Sequence, residues 1–203
     1  MHFLKQLFFQ IAFAVLYSAT ALGQISNYTT SELEQKPILS QDGIEIRLID
    51  ARGMQTLIHK SKKPLKLFTI ITRNCGGTPD ALSYEAYLDG KYAENVDHWI
   101  IFSDNLRDST KVFRKLKQFK LRGTYYLVSD IYNEDPEDDR QKGTDLRNAI
   151  CLECKQDIIG VPYTLLYDKE NKIIMHGYPS MKGPLENIPS DFIGYFIKNL
   201  PTQ

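Results

Sequence analysis

The chain has 203 residues, and its 25 Lys plus Arg equal its 25 Asp plus Glu. That balance excludes a global field drawing it to nucleic acid or acidic membranes. The length, less an N-terminal leader, bounds it to one domain with a substantial core.

The leader is "MHFLKQLFFQIAFAVLYSATALG". Lys5 supplies a positive start, residues 7–22 are largely apolar, and Ala21 and Gly23 are small residues placed for cleavage before Gln24, the pattern of an export signal over 1–23. The apolar run is short for a bilayer span and interrupted by Gln10, Ser18 and Thr20, so an uncleaved anchor is the alternative. No second run is long enough to cross a bilayer, and no membrane span is expected after cleavage. Residues 24–40 are polar and aperiodic, an extended lead-in. Residues 41–203 form the single domain.

In "GIEIRLIDARGMQTLI", Ile44, Ile46 and Leu48 alternate with Glu45 and Arg47. With "DARG" as a turn, the segment predicts an N-terminal β-hairpin. "LKLFTIIT" (65–72) is nearly continuous in apolar residues, as for a strand buried on both faces. After it come Cys75 and then Thr78-Pro79-Asp80. Thr can cap a helix, Pro suits its first position and Asp complements the positive end of its dipole. The helix is predicted to stop at Gly90.

"HWIIFSD" (98–104) is a second buried strand, followed by an amphipathic helix with Leu106, Val112, Phe113, Leu116 and Phe119 on one face. "YYLVSD" is a third strand. "NEDPEDDRQKG" (133–143) lacks calcium-loop spacing and reads as a flexible, solvated insertion. "GTDLRNAICLECKQDI" predicts a helix opening at Thr144 or Asp145, "VPYTLLYDKENKIIMHGY" a hairpin turning at "DKEN", and "SDFIGYFIKNL" a last helix capped by Ser190 or Asp191. The basic runs at 59–66 and 114–122 read as a solvated loop and a solvated helix face. Strands alternating with helices imply a parallel centre, to which the late hairpin adds an antiparallel edge.

This order resembles the thioredoxin-like superfamily and, within it, the exported TlpA-like and AhpC/TSA branch. "IEIRLIDARGMQTLI" looks like that branch's N-terminal hairpin, and "KLFTIITRNCGGTPDALSYEAY" like its central strand, active-site loop and first helix. "GVPYTLLYDKENKIIMHG" looks like its cis-proline segment with the following strand, turn and strand, and "FIGYFIKNL" like its terminal helix. Together they span about residues 40 to 200. The resemblance implies an α/β thioredoxin-like fold, with a central mixed sheet flanked by helices. It also implies a cis Val161-Pro162 bond beside the Cys75 loop, where the family binds extended peptide, and Cys75, Thr78 and Pro162 as the catalytic residues.

The departure is at the loop itself. Redox members carry C-x-x-C, whereas this chain has Cys75-Gly76-Gly77-Thr78, so the thiol that resolves a mixed disulfide internally is missing. The loop also resembles the C-G-x-T of glutathione-peroxidase-like proteins. Their later Trp-Asn pair is absent, and the single tryptophan, Trp99, falls in a strand.

Thiolate is the reactive form of cysteine. A site just ahead of a helix N-terminus favours an anion, Arg73 can assist if it points inward, and the Thr78 hydroxyl can donate to the sulfur. Two functions follow as expectations: a thiol-dependent oxidoreductase acting on protein thiols and disulfides or on peroxide, or a catalytically silent module that binds protein or peptide. Export implies the bacterial periplasm. No cofactor, metal or nucleic acid is expected. A copper site would want two loop cysteines with His176, and the second cysteine is absent, while His59 and His98 lack ligand-like neighbours.

Cys151 and Cys154 form a C-x-x-C inside the predicted helix. In an oxidising compartment they can be a structural disulfide, resolving partners for Cys75, or packed thiols. Loop closure favours pairing with each other, which leaves Cys75 unpaired.

Overall fold

The computed structural model describes residues 36–132, 139–156, 161–177 and 192–198. The export leader and the caps expected at Ser190 or Asp191 lie outside these.

One seven-stranded sheet runs in the order β1-β2-β5-β4-β3-β6-β7. Its strands are β1 (Leu39–Gln41), β2 (Ile44–Ile49), β3 (Leu65–Ile71), β4 (Val96–Phe102), β5 (Gly123–Val128), β6 (Tyr163–Tyr167) and β7 (Ile173–Gly177). β2, β5, β4 and β3 are parallel neighbours in that order. β6 and β7 add the antiparallel edge, and β1 closes the other side. β3 is buried along its whole length, which explains why its sequence shows no period of two.

Helices α1 (Ala51–Lys60), α2 (Thr78–Lys91), α3 (Ser109–Gln118), α4 (Asp139–Ile150) and α5 (Phe192–Lys198) cover the sheet. On one face Met54 and Ile58 of α1 and Leu146 of α4 pack on Phe68, Ile70, Ile101 and Val128. On the other, α2 and α3 cover Ile71, Ile100 and Phe102, while α2 and α5 cover Leu65, Leu67 and Leu166. Each fully buried aliphatic side chain contributes about 1.5–3 kcal/mol relative to exposure. The architecture is the α/β arrangement expected from the sequence, a central mixed sheet flanked by helices.

The N-terminal hairpin is real, but not where the alternation placed it. It pairs β1 with β2 through a two-residue turn at Asp42 and Gly43, both at positive φ (54° and 77°), the Asp-Gly turn that suits hairpin twist. β1 takes Leu39 and Ser40 from the segment read as a lead-in. The expected second strand is α1 instead. Asp50 caps it, its Oδ1 accepting from Gly53 N at 2.6 Å, and Met54, Leu57 and Ile58 have helical spacing.

Four further boundaries shift, both ends of α2 and both ends of α4. α2 is capped by Gly77, with Thr78 as its first residue, and runs through Gly90 to Lys91. α4 starts at Asp139, so part of the expected solvated insertion is core: Lys142 is 1% exposed and reaches Asp130 Oδ1 at 2.5 Å. Gly143 fits against the β3 and β4 ends, where a Cβ would lie 3.0 Å from Ser103 Cβ and 3.1 Å from Ile70 Cγ2. α4 also ends at Ile150, so Cys151 and Cys154 lie beyond it, the latter in a 3-10 turn over Glu153–Gln156.

Candidate active site

Residues 72–77 link the carboxyl end of β3 to α2 and close on themselves. Cys75 N donates to Thr72 O at 3.2 Å, and Thr78 N to Cys75 O at 3.1 Å. The buried Thr78 hydroxyl also donates to Thr72 O. Its one proton therefore holds the loop and is not directed at the sulfur, contrary to the expectation for Thr78.

Arg73 is likewise committed elsewhere. Its backbone N–H donates to Asp104 Oδ2 at 2.8 Å, and its guanidinium pairs with Asp104 and, at 3.1 Å, with Asp108. Asp104 stands just past β4 and is 1% exposed. A hydrogen bond from Lys111, with Arg73 adding to it against the opposing effect of burial, holds the Asp108 carboxyl below its ordinary range. This clamp fastens the Cys75 loop to the end of the neighbouring parallel strand.

Cys75 is unpaired and half-buried. Its Sγ donates to Val161 O at 3.0 Å. The Val161-Pro162 bond is cis, and the proline ring lies against the loop. A Cβ on Gly77 would meet Pro162 Cδ at 2.8 Å and Cγ at 3.0 Å, with Cys75 Sγ 4.0 Å away. Gly77 has φ −82°, so its glycine is required by space and not by backbone conformation. Cys75, Thr78 and Pro162 thus converge on one loop.

Behind Pro162, the Tyr163 ring receives the Arg147 guanidinium of α4, 4.7 Å from its centroid, a cation–π contact that ties the segment to the core. Cys151 and Cys154 are joined in a disulfide with Cα atoms 5.3 Å apart. Both are buried in the cluster that contains Tyr163, Leu146 and α1. Neither sulfur is available to Cys75 while that bond stands.

A polar seam lies under α2, between the two apolar clusters on that face. Thr69 of β3 contacts His98 Nε2 at 2.9 Å, and His98 Nδ1 lies 3.4 Å from Glu85 Oε2. Burial pushes the Glu85 carboxyl up to about 8, with Asp89 adding to it and a hydrogen bond with Tyr125 opposing. Burial pushes His98 down to about 3. Both are therefore neutral near pH 7, and the contact is not an ion pair. Among the described residues no cluster of three or more His, Cys, Asp or Glu has metal-binding geometry, and no helix is long and apolar enough to cross a membrane.

The sequence reading missed the Asp104–Arg73–Asp108 clamp, the Val161 carbonyl and Arg147. The only available signal was that Asp104 and Asp108 sit at the end of a predicted strand and the start of a helix. Their partner lies about 30 residues earlier.

No protein-family model and no curated protein matches the chain. Solved structures with a similar fold include the thioredoxin domain of a thiol-disulfide oxidoreductase from Bacteroides vulgatus, at 15% identity over 68% of this chain and 79% of that one, with a TM-score of 0.44. A thiol:disulfide interchange protein from Bacteroides sp. has 14% identity, 68% and 72% coverage and a TM-score of 0.44. A thioredoxin-like protein from Aeropyrum pernix has 11% identity, 94% and 99% coverage and a TM-score of 0.41. At this distance they carry nothing about activity, substrate or partner.

Proposed function

We propose that the chain is an exported, thiol-dependent oxidoreductase of the TlpA-like and AhpC/TSA branch, with Cys75 as its single loop nucleophile. The observation that supports this best is the placement of Cys75, an unpaired and partly accessible thiol ahead of α2 and against the cis Val161-Pro162 segment. Extended substrate lying along that segment would bring a disulfide to Sγ.

The Cys75 thiolate displaces one substrate sulfur, which leaves with its electron pair as a thiolate, and a Cys75–substrate disulfide forms. Thr78 cannot attack that bond, and Cys151 and Cys154 are tied to each other. A thiolate from a second molecule must therefore attack the substrate-side sulfur. That releases Cys75 as thiolate and carries the substrate away in a new disulfide. With peroxide instead, the thiolate takes one oxygen to give the sulfenic acid and releases an alcohol or water after protonation.

Intact-mass analysis after exposure to a model peptide disulfide tests the reading. The expected result is one adduct, on Cys75, that an external thiol removes and Cys75→Ser abolishes. A parallel arm with hydrogen peroxide and dimedone separates disulfide exchange from peroxide reduction. If Cys75 forms neither adduct, the silent peptide-binding module is the function, a reading favoured by the missing resolving thiol at position 78.

A further inference from the structure

The basic run that reads as a solvated helix face has a second role in three dimensions. Lys111, Arg114, Lys115 and Gln118 of α3 are spaced as i, i+3, i+4 and i+7, so they form one stripe along the helix. Val112, Phe113 and Leu116 occupy the buried side. The stripe does not face open solvent alone: with Arg73 and Asn74 it lines a cleft of about 300 Å³. Arg73 and Asn74 are the two residues immediately before Cys75, so the cleft shares a wall with the nucleophile's loop.

Its charge is lopsided. Four cations line it, and the carboxylates beneath are Asp104 and Asp108. Arg73 uses both of these, and Lys111 Nζ shares Asp108 at 2.7 Å. Among the described residues, neither Arg114 nor Lys115 has a carboxylate within ion-pair distance; Lys115 instead lies over the Phe119 ring at 5.8 Å. The chain as a whole has no net charge, so this surplus is local. A cleft lined by one sign of charge concentrates ligands of the other.

We infer that this cleft is a docking subsite for carboxylate side chains, and that it selects polypeptide substrates with acidic residues next to the reacting cysteine. The inference rests on the oxidoreductase reading for what happens next at Sγ, but the binding itself does not require it. The volume, at the lower limit of ligand pockets, suits a side chain or two of an extended segment. A rigid Arg73, fixed by two carboxylates, orients the floor, and Arg114 and Lys115 supply the unneutralised charge. An acidic peptide is favoured over nucleic acid because the chain as a whole has no net positive charge and the cleft is small and adjoins the Cys75 loop.

The test uses the Cys75→Ser protein and two short fluorescein-labelled peptides, one with Glu at the positions flanking a central Ser and one with Gln there. Fluorescence anisotropy should show the Glu peptide binding about tenfold more tightly, with the preference falling as salt rises. The double variant Arg114→Glu, Lys115→Gln should abolish the preference. Lys117→Gln should retain it, since Lys117 is on the same helix but pairs with Asp42 outside the cleft. Equal affinity for the two peptides, a preference that survives the double variant, or equally tight binding of an oligonucleotide overturns the inference. Mixed-disulfide formation by the unmutated chain with versions of the peptides whose central residue is a Cys already in a disulfide with a small thiol, which leaves as thiolate when Cys75 attacks, separates the two claims. Equal rates for both sink the subsite alone. No adduct with either sinks the oxidoreductase reading, while anisotropy still decides the subsite.

Discussion

Gly77 and Pro162 meet at a distance that leaves no room for a side chain: a Cβ at position 77 would stand 2.8 Å from Pro162 Cδ. That contact presses the proline segment against the Cys75 loop, and it sets the site's geometry from two parts of the chain 85 positions apart. Gly76, next door, has open space.

The two glycines should therefore respond differently to the same substitution. Gly77→Ala must displace the proline ring, and overpacking of this kind costs about 1–3 kcal/mol. It should also change the rate at which iodoacetamide alkylates Cys75. Gly76→Ala should stay within about 0.5 kcal/mol of the unmodified chain. Urea midpoints and alkylation rates check both. An equal effect of the two would show that the Pro162 contact does not position the loop.

The sequence made the site's parts legible more readily than their partners. β3 was readable because a strand buried on both faces needs an unbroken apolar run, and Cys75 and Pro162 were readable because their surroundings resemble a known loop and a known turn. α1 is hidden by the alternation of "IEIRLI", which suggests a strand continuing past Asp50, although an Asp followed by Met54, Leu57 and Ile58 is a capped helix start. In sequence the Cys75 sulfur is an acceptor within reach of the Thr78 hydroxyl, and only the folded loop selects the Thr72 carbonyl instead. The pairing of Arg73 with Asp104 depends on β3 and β4 being parallel neighbours in one register, which no local pattern encodes.

The seam under α2 makes a pH prediction. The raised Glu85 carboxyl holds its proton in the folded chain up to about 8, whereas the unfolded chain loses it near the ordinary value of about 4.3. Between those values the native state binds the extra proton, so stability falls as pH rises. The depressed His98 acts oppositely: between about 3 and its unfolded value of about 6.5 the unfolded state binds more protons, so stability rises with pH. The two slopes cancel from about 4.3 to 6.5, and only the Glu85 loss remains from there to about 8, at roughly 1.4 kcal/mol per pH unit. Glu85→Gln should remove about 2 kcal/mol of decline between pH 6.5 and 8, read from urea midpoints across that range. An identical alkaline slope in the variant would mean that Glu85 is ionised in the fold.

The Cys151–Cys154 bridge closes a very short loop and is buried on the α1 and α4 side. Chain-entropy arguments give such a loop about 2 kcal/mol. Cys151→Ala with Cys154→Ala should lower stability by about that amount and leave the rate of Cys75 adduct formation unchanged, because the second thiol in the proposed cycle comes from another molecule. Peptide mapping of the oxidised chain should find Cys75 alkylable. A dominant cross-link from Cys75 to either cysteine would instead make the pair resolving thiols and favour an atypical two-cysteine peroxidase.

Thr78 sets stability and turnover against each other. Its hydroxyl satisfies the Thr72 carbonyl inside the loop, and a cysteine there would donate more weakly, so Thr78→Cys should destabilise the chain by about 1 kcal/mol. The same change restores a thiol three residues after Cys75, at the start of α2, where it can attack the Cys75–substrate disulfide without waiting for a second molecule. Insulin reduction should therefore be weak for the native chain and clearly faster for Thr78→Cys, despite the lower stability. Thr78→Ser, which keeps the hydroxyl and adds no thiol, should remain as slow as the native chain, so a gain from loosening the loop is separable from a gain in chemistry. If the native chain already turns over like a dithiol enzyme and Cys75→Ser leaves that rate intact, the reducing thiols are Cys151 and Cys154, and the Cys75 loop is a binding surface only.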